Sequence, residues 1–197
     1  MSVLGGLFRV RRAAEPDRQA LARMLDRCSA DTRYRRFHGY VNVFPERYLT
    51  EALSGSPVHL GLVAAASDGA VVALASCRTV ATGVAEIGIL VEDAWQRLGI
   101  GGQLLAEIIN YAERARLTAL TAQVLTDQAW ITRMLAVYGP CDIAGSRGVL
   151  DITMRRSSPA GSSCDSIVEC GSNASSARRR AVACRRSIDD DLVRPSG

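Results

Sequence analysis

Apolar and polar positions near the start of the chain follow first one period, then another. Phe8-Arg9-Val10-Arg11-Arg12 alternates strictly and predicts a strand. Glu15-Pro16-Asp17 opens a helix whose apolar positions Leu21, Met24 and Leu25 fall on one face. From Asp31 to Tyr40 the chain is polar and aromatic without a clear period, as expected of a loop or short helix. Phe44-Pro45-Glu46 then opens a second short helix, ending near Gly55. Val58 to Ala66 and Ala70 to Val80 are β-type runs joined by Ser67-Asp68-Gly69, and Asp-Gly between such runs is a hairpin signal. Val84 to Val91 is the next strand. Helical spacing returns from Gly101 to Arg116, where Leu104, Leu105, Ile108, Ile109 and Ala112 form one apolar stripe. A strand from Ala119 to Leu125 and a helix from Gln128 to Val137 follow, and Gly139-Pro140 breaks the helix. Two short strands, Cys141 to Ala144 and Gly148 to Met154, flank Gly145-Ser146-Arg147.

Between the apolar run Ile87–Val91 and the long helix stands Gln96-Arg97-Leu98-Gly99-Ile100-Gly101-Gly102, a turn of the form Q-x-x-G-x-G. The first amides of a helix lack intrahelical partners, and the helix dipole makes that end attractive to anions. Glycines there leave the approach free of side chains, so a diphosphate is the expected guest. The dinucleotide fingerprint needs G-x-G-x-x-G after a first strand, and this turn lies halfway along the chain with different spacing. A Walker loop needs Gly-Lys-Ser/Thr, and the chain has no lysine.

The stretch Ala85 to Leu105, with its strand, Trp95-Gln96 entry, glycine turn and Leu104-Leu105 helix start, resembles motif A of the GNAT acetyltransferase superfamily. The predicted order of elements (strand, two helices, three strands, helix, strand, helix, two strands) is also the GNAT order. The resemblance spans roughly residues 8 to 154. It implies an α/β (α+β mixed sheet) fold of the acyl-CoA N-acyltransferase type, with a mostly antiparallel central sheet flanked by helices. The implied activity is acetyl transfer from acetyl-CoA to a primary amine, either a protein lysine or a small molecule, by direct attack. No cysteine lies in the turn or the preceding strand, which speaks against a covalent enzyme intermediate. The alternative is a GNAT-fold sensor or interaction module that binds acyl-CoA without turnover.

The resemblance also implies roles for residues. Amides from Leu98 to Gly102, through Gly99, Ile100 and Gly101, take phosphate oxygens, Arg97 adds charge and Gln96 shapes the turn. The pantetheine arm runs along the backbone of Ile89, Leu90 and Val91. Glu86, in an Ala-Glu-Ile strand, matches a general base of the histone-acetyltransferase branch. It can equally be a structural or substrate-orienting carboxylate. The family's usual acid, a tyrosine on the helix after the fifth strand, falls here on Leu135. Tyr138 either supplies that proton from a shifted helix end or packs in the core. Asp31 to Gly39 resembles a segment of bacterial GNAT domains related to protein-lysine acetyltransferases, and its arginines suit an acidic acceptor or a protein surface. A solvated basic loop anchored by Tyr34 and Phe37 is an equal reading. Core packing is expected for Trp95 and Trp130, and solvated turn positions for Glu92 and Asp93.

Composition narrows the rest. The chain has 197 residues, room for one ordinary domain, and 48% of them are hydrophobic. No apolar run approaches a membrane span, and Met1 to Phe8 lacks the early charge and apolar core of a signal peptide, so a cytoplasmic protein is expected. The net charge of +4 is carried by arginine, as a GC-rich coding sequence would give, and does not amount to a nucleic-acid footprint. The six cysteines, at 28, 77, 141, 164, 170 and 184, form no C-x-x-C pair; with two histidines, neither metal nor disulfide is expected. Cys28, Cys77 and Cys141 suit small core positions. The acetyltransferase domain is expected over 1–155. Residues 156–197, rich in serine and arginine, cannot bury enough surface to offset chain entropy and are expected to be a disordered tail. The acceptor, the acyl-chain preference and the oligomeric state are left open, a homodimer among the options.

Overall fold

The computed structural model describes residues 7–156. The tail segment and Cys164, Cys170 and Cys184 lie outside the described residues, apart from Arg156. Seven strands form one sheet: β1 (Phe8–Arg12), β2 (His59–Ala66), β3 (Val71–Ala81), β4 (Val84–Val91), β5 (Ala119–Leu125), β6 (Cys141–Ser146) and β7 (Val149–Arg155). Their order is β1-β2-β3-β4-β5-β7-β6, antiparallel throughout except where β4 lies parallel to β5. Five helices flank it: α1 (Arg18–Arg27), α2 (Ala30–Phe37), α3 (Glu46–Leu53), α4 (Ile100–Arg114) and α5 (Trp130–Ala136). None of the helices among the described residues is long and apolar enough to cross a membrane.

Strand alternation divides the interior into two cores. Ala73, Ala75, Cys77 and Ala85 point to one face, where they meet Ile100, Leu104, Leu105, Ile108 and Ala112 of α4 and Leu135 of α5. Leu74 and Leu90 point to the other, against Leu21, Met24 and Leu25 of α1 and Leu49 and Leu53 of α3. Each fully buried leucine or isoleucine contributes about 1.5–3 kcal/mol, so the α4 stripe predicted from spacing is the strongest single tie on its face. α3 approaches the sheet so closely at Gly61 that a Cβ there would overlap the Ala52 carbonyl.

Two expectations needed correction. Asp31–Tyr40 contains a third helix before β2, so the order has three helices there, not two. α2 buries none of its residues, hence no apolar period, and its N-cap is Ser29, whose Oγ accepts from Thr32 N–H. The last hairpin turns at Arg147-Gly148, both with positive φ (50° and 83°), one residue later than the glycine cluster suggests. At the other end, Arg156 N–H donates to Thr118 O and its side chain donates to Ile109 O and pairs with Glu113 at 3.0 Å. The packed chain thus runs past residue 155.

Candidate active site

The turn after β4 is tied down on one side and open on the other. Glu92 is buried and pairs with Arg27 at 2.8 Å. Asp93 accepts from Ser29 N–H, Ser29 Oγ and Thr32 Oγ1, each at 2.8 Å. Burial alone would raise the Asp93 pKa, but these hydrogen bonds outweigh it and hold the carboxyl below its ordinary value. Glu92 is therefore not a solvated turn residue, whereas Asp93 is exposed as expected but tied down by these bonds. Gln96 Nε2 donates to Val91 O at 3.0 Å and to Thr32 Oγ1 at 3.1 Å, fastening the turn to the end of β4 and to α2. Arg97 has φ 61° and Gly99 has φ 83°, so the chain makes two left-handed steps before α4 begins. At Gly99 glycine removes the Cβ conflict that Arg97 must bear.

Ile100 is buried and seats the start of α4 in the core, while Arg97, Leu98, Gly99 and Gly102 are exposed. No side chain caps α4 and its first turn holds no acid. A Cβ at Gly101 or Gly102 would meet nothing within 4 Å. An uncapped ring of amides beside open space suits a diphosphate. Along β4, pairing with β5 comprises only Val84↔Ala119, Ala85↔Leu120 and Glu86↔Thr121. Beyond Glu86 the strands part, so Ile87 to Val91 keep an edge that β5 does not cover. Leu90 packs among α1 and α3, and Ile89 and Val91 pack on the α4 side. The structure thus brings Ile89, Leu90, Val91 and residues 96–102 to one end of β4. Those residues fit a phosphate-bearing thioester whose arm lies along the strand.

Glu86 stands where the two strands separate. Its register partners form a polar row, His59↔Arg78 between β2 and β3, Arg78↔Glu86 between β3 and β4, and Glu86↔Thr121 between β4 and β5. Arg78 Nη2 donates to Glu86 Oε2 at 2.6 Å, and Oε1 has no partner among the described residues. The Glu86 side chain is 43% exposed. Arg78 Nε also lies 4.0 Å from Glu51 Oε2, which is 3.6 Å from the buried His59. Burial pushes the His59 pKa below 6.5, against the opposing pull of Glu51. Arg78 and this row were missed in the sequence, because residues 78 and 86 meet only through the strand register.

Tyr138 is not brought to this point. It follows the end of α5, is 40% exposed and adjoins Gly139, which abuts Arg155. Arg155 is the register partner of Ala119, the first residue of β5. Tyr138 therefore lies toward the Ala119 end of β5, and no hydrogen bond joins it to Glu86 among the described residues. α5 packs on the α4 face, whereas Glu86, in register with Arg78, shares the face of α3. Leu135, at the usual tyrosine position, is buried core. Trp130, expected in the core, is 55% exposed, while Trp95 packs partly against it. Burial raises the pKa of Cys28 to about 11 and of Cys77 to about 12, which leaves both thiols inert. Among the described residues there is no cluster of three or more metal-binding side chains.

α2 borders the open edge of β4. Arg35 pairs with Asp31 at 2.6 Å and with Asp127, just beyond β5, at 2.5 Å. Phe37, Phe44 and Tyr48 form an aromatic cluster with centroid separations of 5.7–6.1 Å. The Arg36 guanidinium lies over Gly88, where a Cβ would overlap it.

The sequence model of the acetyltransferase (GNAT) family matches residues 21–137. Among solved structures, the GNAT domain of S. lividans PAT is 22% identical, with a TM-score of 0.68 over 77% of this chain and 92% of that one. YncA from Salmonella typhimurium, solved with its cofactor acetyl-CoA, is 18% identical, with a TM-score of 0.61 over 82% and 99%. The ribosomal-protein-S18-alanine N-acetyltransferase from Escherichia coli is 19% identical, with a TM-score of 0.61 over 81% and 99%. No curated protein sequence matches the chain. With the family's sequence pattern over most of the described residues and its sheet and open helix mouth in place, the chain belongs to the acetyltransferase (GNAT) family.

Proposed function

We propose that the protein transfers an acetyl group to a primary amine by direct attack, with Glu86 as the proton acceptor. The observation that carries this reading is the uncapped mouth of α4 beside a β4 edge that parts from β5 at Glu86. Amides of Leu98 to Gly102 grip the diphosphate, Arg97 adds a positive charge, and Gln96 fixes the turn. Backbone groups of Ile89, Leu90 and Val91 hold the pantetheine arm. Bound acetyl-CoA supplies the activated thioester carbonyl. An alkylammonium has a pKa near 10, so a proton must leave before attack. Glu86 takes it directly or through a water, with Arg78 holding the other carboxylate oxygen in place. The amine nitrogen then bonds to the acyl carbon, the carbon–sulfur bond breaks as the nitrogen gives up a second proton to solvent, and the departing thiolate takes a proton from solvent. We assign Tyr138 no part in this step. The acetyltransferase domain spans residues 1–155, with Arg156 packed against its end.

Calorimetry with CoA tests the first half, with binding on the order of 4–8 kcal/mol expected; absence of heat and of a thermal shift removes the reading. Release of free CoA thiol with a panel of amines tests the second half and separates an enzyme from a binding module. Glu86→Gln should lower kcat roughly 100-fold and change the shape of the pH–rate profile. An unchanged profile would reassign Glu86 to orientation alone.

A further inference from the structure

The acids near the acceptor face are already engaged. Glu86 is held by Arg78, Glu92 by Arg27, Asp93 by Ser29 and Thr32, and Asp31 and Asp127 by Arg35. Arg36 is different. It forms no ion pair and donates no hydrogen bond among the described residues, and its Nε is buried without a partner. Its guanidinium is fixed between the backbone of Gly88 and two rings, with Cζ 5.0 Å from the centroids of both Phe37 and Tyr48. Aromatic faces steady a cation but leave its in-plane donors unsatisfied. Gly88 is two residues along β4 from Glu86 on the same face, a separation of about 7 Å.

We propose that Arg36 is a carboxylate-binding residue and that the acceptor is a small zwitterionic amine, an amino-acid-like molecule whose carboxylate sits on Arg36 while its ammonium faces Glu86. This rests on the acetyl-transfer reading above and names its substrate class. A planar guanidinium held rigidly in a half-dry, aromatic setting binds a carboxylate through paired hydrogen bonds with little ordering cost. The same fixed charge repels an acceptor that brings only positive charge, such as a polyamine or a lysine on a basic surface. Gly88 follows from this arrangement, since any larger residue would push the guanidinium off the sheet.

The test uses the full chain with saturating acetyl-CoA and measures thiol release with single α-amino acids, their amides, spermidine and a lysine peptide. At least one amino acid should exceed its own amide in kcat/KM by about tenfold or more, the worth of one charge-assisted hydrogen bond. Arg36→Met should collapse that ratio to near unity through the KM of the acid, and Arg36→Lys should restore part of it. CoA affinity by calorimetry should persist in both variants, which separates failure of this proposal from failure of cofactor binding. Preference for spermidine or the peptide over every amino acid overturns the proposal, as does an acid-to-amide ratio that survives Arg36→Met. Should no amine turn over, N-acetylated amino acids titrated into the CoA-loaded protein decide. Binding weakened about tenfold by Arg36→Met or by Arg36→Lys upholds the carboxylate site, and no binding, or binding indifferent to both variants, overturns it.

Discussion

A side chain at Gly101 would project from the second residue of α4 into open space. Glycine is a poor helix former, so Gly101→Ala should stabilise the fold by about 0.5 kcal/mol in a denaturant melt. Gly101→Phe should fold as well but weaken CoA binding at least about tenfold in calorimetry, because the ring would stand where the diphosphate is expected. Stability and affinity moving in opposite directions is the signature of a glycine kept for ligand access. Weaker folding with unchanged affinity would mean that the position is merely structural. This part of the site was legible because its chemistry depends on local spacing: Gly99, Gly101 and Gly102 follow one another in the chain. Arg78 beside Glu86 and Arg36 over Gly88 were not, since each contact joins separate elements and nothing in the local pattern ranks one arginine above another.

Between elements, the tie that matters most joins α2 to the turn before α4. One carboxylate, Asp93, receives three hydrogen bonds from Ser29 and Thr32, and Gln96 adds a fourth link through Thr32. Asp93→Ala should cost about 1–3 kcal/mol, because it leaves the start of α2 without its partner. Hydrogen exchange should rise first in residues 30–37, and a uniform rise across the sheet would refute this role. The Asp93 pKa is held below 3.8, so its contribution is full above that value and is lost as pH falls through the folded pKa. The sequence left α2 open between a loop and a short helix for the same reason it matters: it is fastened by polar bonds to residues about sixty positions away instead of by an apolar stripe. α4, anchored by five apolar residues at helical spacing, was evident at once.

Across residues 7–156 one sheet separates two cores, and its polar row places a buried imidazole under α3. His59 has a folded pKa below its ordinary 6.5, so the unfolded chain binds the proton more readily. Stability from this group is therefore present above pH 6.5 and drains away as acidification proceeds through the folded pKa. His59→Leu should flatten the melting temperature across that window, and a slope equal to that of the parent protein would place the effect elsewhere. The strands were readable from alternating runs and one hairpin signal, and the mixed sheet was expected from the resemblance to motif A. The early parting of β4 from β5 was not, because a strand pattern says which residues form a strand but not how far two strands stay together. Three register pairs are all that join the β1–β4 half to the β5–β7 half within the sheet. That narrow suture is backed by a shared apolar core, in which Leu120, Ala122 and Ile152 join the α4 residues and Ala85. A pantetheine lying along Ile87 to Val91 would supply backbone partners where β5 gives none, so bound acyl-CoA would slow amide exchange along that edge more than elsewhere in the sheet.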